Sequence, residues 1–241
     1  ESSPALREGN LLHALAEVSV RLADDDDAWE EAKQLVKDAY LSSRTVPPWK
    51  EQADEDEFVE VMENTVKKMS DLAGELVGVE IPMRVTVGQM PDQALIEIKG
   101  RLDRVHRDSE GRMKVYDLKT GKSAPTYQEA ESHPQMAVYQ LGINHAALQE
   151  KPLQFVTDDG SGGGLHSGGA ELVYPRSTKK LGQKPLSEEN ATTLLEYLRQ
   201  LVENTSGATV PALPNKHCGS CAYRIICPIT EEGRSINEVH S

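Results

Sequence analysis

The sequence predicts an α/β protein with a helical N-terminal part, on three observations. Apolar residues recur at helical spacing from residue 5 to about residue 75, the period then shifts to that of strands, and helical spacing returns at His133. "LLHALAEVSVRLA" and "DAWEEAKQLVKDAYL" carry the first two helices, the second stopped by "TVPPW" because paired prolines cannot continue a helix. A third, "DEFVEVMENTVKKMSDLAGEL", is expected to end near Gly74 or Gly78. Three runs rich in Val and Ile follow as strands: "LVGVEIPMRVTV" (Leu76 to Val87), "ALIEIKGRLDRVHRD" and "RMKVYDLKTG". "HPQMAVYQLGINHAALQE" (His133 to Glu150) reads as helix throughout, and "LQFVTDD" and "GAELVYPRS" as short strands either side of the glycine-rich loop "GSGGGLHSGG". "SEENATTLLEYLRQLVEN" is a helix with a capping-box start at Ser187 to Asn190. No repeat and no linker composition interrupts the chain. Its 241 residues therefore read as one domain: a helical part to residue 75, a core over 76–205, and a cysteine segment with a polar tail over 206–241.

Composition narrows the function classes. A net charge of -13 argues against a free-standing nucleic-acid binder, since phosphate affinity is built on Lys and Arg. Much of the acid lies in two runs, Ala23 to Ala32 and Glu51 to Asn64, where solvated helix faces are the ordinary explanation. A carboxylate cluster that holds a divalent cation would also make the chain acidic without repelling an anionic substrate once loaded. The apolar runs fall well short of the ~20 residues that span a bilayer, and the N-terminus lacks the pattern of a signal peptide, so no membrane association and a cytoplasmic address are expected. Without an initiator Met, the chain is expected to be a fragment of a longer protein.

The stretch "GRLDRVHRDSEGRMKVYDLKTGK" carries the chemistry. A three-residue loop of Ser109, Glu110 and Gly111, with Gly111 left-handed, sets Asp108 opposite Arg112 and, counting back, Asp103 opposite Asp117. Opposed residues share a face with β-carbons about 4.5–5.5 Å apart, so two carboxylates there require a cation between them or a raised pKa. Lys119 shares the face of Asp117 by strand alternation. Two carboxylates and an amine suit metal-assisted phosphodiester hydrolysis. On these residues alone the alternative stands equal: Asp103 paired with Arg101 or Arg104 and Asp117 with Lys119, as exposed ion pairs of little worth.

Five motifs in order resemble the RecB-type branch of the PD-(D/E)xK nuclease superfamily. "GRLDRV" resembles its G-x-x-D-R-V segment and "VYDLKTGK" its D-x-K-T-G-K segment. "HPQMAVYQLG" resembles the Q-x-x-x-Y helix, "GNLLH" the G-x-x-x-H start of the N-terminal helix, and "CGSCAYRIICP" the cysteine end of the iron–sulfur members. The resemblance implies a restriction-endonuclease-like core, a mixed sheet flanked by helices. It implies Mg²⁺ or Mn²⁺ held by His13, Asp103, Asp117 and the Leu118 carbonyl, with Lys119 as the catalytic lysine. Gln135 and Tyr139 would face substrate or the active-site strands. Glu80 sits where the family often has an acidic residue on the first core strand, as a further ligand or an exposed strand residue; Lys122 and Thr120 lie at the strand exit, suited to phosphate contact or plain turn chemistry. Without the family, His13 reads as an ordinary helix histidine, and Gln135 and Tyr139 as packing.

Cys218, Cys221 and Cys227 fall within ten residues, unlike a disulfide framework, and read as ligands. The resemblance implies a structural [4Fe–4S] cluster whose fourth cysteine lies upstream of residue 1; a zinc site that adds His217 is the rival. The implied activity is that of a DNA nuclease domain in a helicase–nuclease that resects double-strand breaks, the helicase delivering a single strand. A stand-alone exonuclease of the CRISPR-adaptation type and a catalytically silent DNA- or partner-binding scaffold are the alternatives.

Overall fold

The computed structural model describes residues 3–160, 164–206, 212–215, 217–231 and 233–234. Residues 161–163 of the glycine-rich loop and 235–241 of the expected polar tail lie outside them. The chain forms two compact units, Glu1–Leu194 and Leu195–Ser241.

The first unit opens with three helices, α1 (Pro4–Arg21), α2 (Asp26–Ser43) and α3 (Glu51–Ser70). Ser3 caps α1 and Asp25 caps α2, their side chains accepting the Leu6 and Ala28 N–H groups at 3.2 and 3.0 Å. The apolar faces close on Leu12, Leu15, Phe58, Val61 and Met62, and the Tyr40 ring stacks on Phe58 at 3.8 Å. α3 stops at Ser70, short of both expected glycines. Side chains from the sheet bind the carbonyls that a longer helix would use: the Tyr116 hydroxyl donates to Ala73 O at 3.1 Å, and His106 Nδ1 lies 3.0 Å from Ala73 O and 3.2 Å from Gly74 O.

The sheet is mixed and has seven strands in the order β4-β5-β1-β2-β3-β6-β7. β1 (Glu75–Gln89), β2 (Leu95–Arg107) and β3 (Met113–Leu118) form an antiparallel meander. After β3 come α4 (Tyr127–Glu131) and α5 (Pro134–Asn144), then β4 (Ala146–Glu150) and β5 (Leu153–Thr157), an antiparallel pair whose β5 runs parallel to β1. β6 (Ser167–Val173) runs parallel to β3, and β7 (Leu181–Gln183) closes the edge. A second apolar cluster, Ala16, Met69, Tyr116, Leu118 and Val173, seats α1 and α3 against β3 and β6.

Three expectations need correction. The helix from His133 ends at Asn144, and "AALQE" is strand β4: its residues are good helix formers, but the ladder to β5 decides. The end of the glycine-rich loop is also strand, because Ser167 pairs in register with Met113 and its N–H is held by Asn144 Oδ1 at 2.8 Å. α4 and β7 carry too few residues to show a period and were not anticipated.

The second unit holds the later part of α6 (Glu188–Thr205) and two short 3-10 turns, Cys218–Ser220 and Arg224–Ile226.

Candidate metal and active centre

The centre begins at the β2–β3 turn. Gly111 adopts φ +80°, its N–H reaches Asp108 O at 3.0 Å, and the Asp108 N–H donates to Arg112 O at 2.9 Å. The ladder pairs Arg107 with Met113, His106 with Lys114, Val105 with Val115 and Arg104 with Tyr116. The pairs end there; the same register carried one residue further sets Asp103 against Asp117, and the Leu118 N–H donates to Asp103 Oδ2 at 2.8 Å. On the other side of β2, Val79 pairs with Arg104 and Ile81 with Leu102, which brackets Glu80 against Asp103. Glu80 and Asp103 thus adjoin across β1 and β2, and Asp117 on β3 is close enough for its charge to act on Asp103.

Glu80 has φ +50°, a left-handed conformation that costs a non-glycine residue roughly 1–3 kcal/mol and concentrates at functional sites. Its carboxylate, Asp103 and His13 from α1 bring one donor atom each within 4.8 Å of one another. His13 Nδ1 is 3.6 Å from Asp103 Oδ2, and the same oxygen accepts the Leu118 N–H at 2.8 Å. Burial pushes the Asp103 carboxyl up to about 6, helped by the charges of Asp117 and Glu80 and opposed by His13 and the Leu118 N–H.

Asp117 is 2% exposed, the most enclosed of the three. Its Oδ1 accepts the Gln135 amide N–H at 2.9 Å, and Lys119 Nζ lies 2.6 Å from Oδ2. Gln135 also accepts from Lys119 Nζ at 2.9 Å and donates to the Tyr139 hydroxyl at 2.7 Å; Tyr139 in turn donates to Arg101 O at 3.2 Å. One polar chain therefore fixes Lys119, Gln135 and Tyr139 around Asp117, the two α5 residues meeting because they are four apart on a helix. Lys122 stays outside this cluster, exposed and 3.5 Å from Glu57.

The donor set fits a hard divalent cation: carboxylate oxygens with a single imidazole. Asp117 Oδ2 supports the fit, because it is buried and, its contact with the lysine ammonium apart, has no directed hydrogen bond. Among the described residues, His13, Glu80 and Asp103 form the only such donor cluster, so the three thiols do not gather. Cys218, Cys221 and Cys227 are free; Cys218 Sγ accepts the Asn215 N–H at 3.2 Å.

Two residues of the centre went unnoticed in the sequence. Arg176 donates to Thr120 O at 2.9 Å and to Glu8 Oε1 at 2.6 Å, tying α1 to the exit of β3. His133, the residue capping α5, has a buried, unpartnered Nδ1; burial lowers its pKa, as does Lys119, while Asp117 raises it. Neither has a local signal: an arginine in a polar loop and a histidine before proline acquire meaning only from the fold.

A mixed sheet flanked by helices, with an acidic row and a lysine at the end of its central hairpin, defines a restriction-endonuclease-like α/β fold. The chain belongs to the PD-(D/E)XK nuclease superfamily, whose profile matches residues 1–228. No curated protein matches it. Among solved structures it is similar to one described as "Crystal structure of SSO0001", at 18% identity and a TM-score of 0.37, over 90% of this chain and 84% of that one. No helix among the described residues is long and apolar enough to cross a membrane.

Proposed function

We propose that this chain is a Mg²⁺- or Mn²⁺-dependent deoxyribonuclease domain of the RecB-type branch, acting with a helicase that feeds it a single strand during double-strand-break resection. The observation that carries the reading is the cluster of His13, Glu80 and Asp103 with the Asp117–Lys119 pair near it. His13, Glu80, Asp103 and Asp117 hold the metal, with the Leu118 carbonyl as a further ligand. A divalent cation bound there supplies neutralisation of phosphate charge and a more acidic water.

The chain's own residues do the rest. Lys119 Nζ, fixed by Asp117 and Gln135, donates to the attacking water or to the charge that develops on the phosphoryl oxygens. Gln135 keeps the lysine aimed, and Tyr139 anchors Gln135 to the β2 backbone. The acidic balance agrees with a nuclease fed by a separate motor, which supplies most of the phosphate grip.

Degradation of single- and double-stranded DNA with Mn²⁺ tests the reading. The wild type is expected to degrade at least one of them, and Asp117→Ala to lose about 100-fold or more of that rate. Equal degradation by both proteins would end the metal-nuclease assignment.

A further inference from the structure

A groove of about 570 Å³ lies beside the centre, walled by α3, β3, β6 and the segment between β6 and β7. Lys67 and Lys68 line it from α3, Lys114 from β3, and Lys179 and Lys180 from the segment, against two carboxylates, Asp71 and Glu171. In a chain of net charge -13 this is a local reversal of sign.

The lysines divide into two kinds. Lys68 is half-buried and anchors the wall, donating to Tyr174 O at 2.8 Å and to Ser177 O. Lys114 is engaged by Glu171 at 3.0 Å. Lys67, Lys179 and Lys180 are exposed, and Lys179 Nζ sits 5.9 Å from the Tyr127 ring centroid. One end of the groove runs along the β3–β6 ladder, on the sheet face that α3 covers. Val173 and Tyr174 line it, the Lys119 N–H donates to Val173 O at 2.9 Å, and Tyr174 lies close enough to Lys119 and Asp117 to feel both charges.

From this geometry we infer that the lysine-lined groove holds the phosphate backbone of a nucleic-acid strand. The inference rests on the nuclease reading for its choice of a nucleic acid over another polyanion; one wall of the groove is β3, the strand that carries Asp117. A recessed basic channel suits a flexible polyanion that must enter it.

Fluorescence anisotropy of a labelled oligothymidylate, with Ca²⁺ in place of the catalytic ion, tests it. Lys67→Glu with Lys180→Glu is expected to weaken binding by roughly ten-fold or more and to shrink the slope of log affinity against log salt by about two. Lys50→Glu with Lys99→Glu, the same change in net charge at exposed positions elsewhere, should leave affinity within about two-fold. The neutral pair Lys67→Gln and Lys180→Gln should show a smaller loss in the same direction, which serves if the reversed pair folds poorly. Comparable losses in groove and control pairs, or unchanged affinity in the groove pairs, would overturn the proposal. Hydrolysis of bis(p-nitrophenyl) phosphate by the wild type with Mn²⁺ tests the nuclease reading separately. If it fails while the groove effect persists, the nuclease reading falls and the strand-binding groove stands.

Discussion

Asp103 shows how one residue comes to define the centre. It stands between two other carboxylates on neighbouring strands, it is half-buried, and only His13 and one backbone N–H offset the repulsion. Its raised pKa is the signature of a place where a cation would relieve the arrangement. On the same strand His106, 3% exposed, has the opposite character. Arg104 Nε donates to its Nε2 at 2.9 Å, so the proton sits on Nδ1 and faces the Ala73 and Gly74 carbonyls. Burial, followed by the Arg104 charge, lowers its pKa. The folded state therefore binds a proton less readily than the unfolded chain, and the stability this represents is complete above about pH 6.5 and is lost as pH falls below it. Between pH 7 and pH 5 His106 should contribute a fall in unfolding free energy with a slope approaching about 1.4 kcal/mol per pH unit, against the gain from Asp103, whose raised pKa acts in the opposite direction. His106→Gln should remove that contribution, so that its urea midpoint drops less, or rises more, than the wild type's between the two pH values; identical pH profiles would refute the assignment.

Elements bring together what strand spacing alone does not. The hairpin register was legible in the sequence because a turn with one left-handed glycine fixes the count, and Gly111, Asp108 and Arg112 are contiguous with the strands they align. The gathering of His13 and Glu80 was legible only through the family resemblance, since it depends on where α1 docks. Gly9 eases that docking: a β-carbon there would meet Thr120 Oγ1 at 2.9 Å, so a side chain in its place must displace the threonine hydroxyl at the exit of β3. His13 follows one turn later. Gly9→Val should lower the melting temperature by about 2–6 °C, the range for overpacking by 1–3 kcal/mol, and reduce the nuclease rate about ten-fold or more by moving His13 from Asp103. An unchanged melting temperature and rate would show that the close approach does not matter. β4 and β7 escaped the sequence for a different reason: one is made of helix formers and the other has three residues, and in both the partner strand supplies the decision.

Across the molecule, acidity has two sources with different meanings. The runs at 23–32 and 51–64 belong largely to α2, α3 and their approaches, where most of the carboxylates face solvent, whereas of the acids of the centre Asp117 is buried and Glu80 and Asp103 half-buried. Superfamily membership over residues 1–228 and the mixed sheet agree on the scaffold, and His13, Glu80 and Asp103 form a candidate metal site on it. The central claim is that these carboxylates form one divalent-metal site. Calorimetric titration of Mn²⁺ at pH 7.5 into the wild type and Asp103→Asn tests it most directly. The account predicts saturable binding to the wild type that weakens about ten-fold or more in the variant; equal affinity in the two proteins would contradict it.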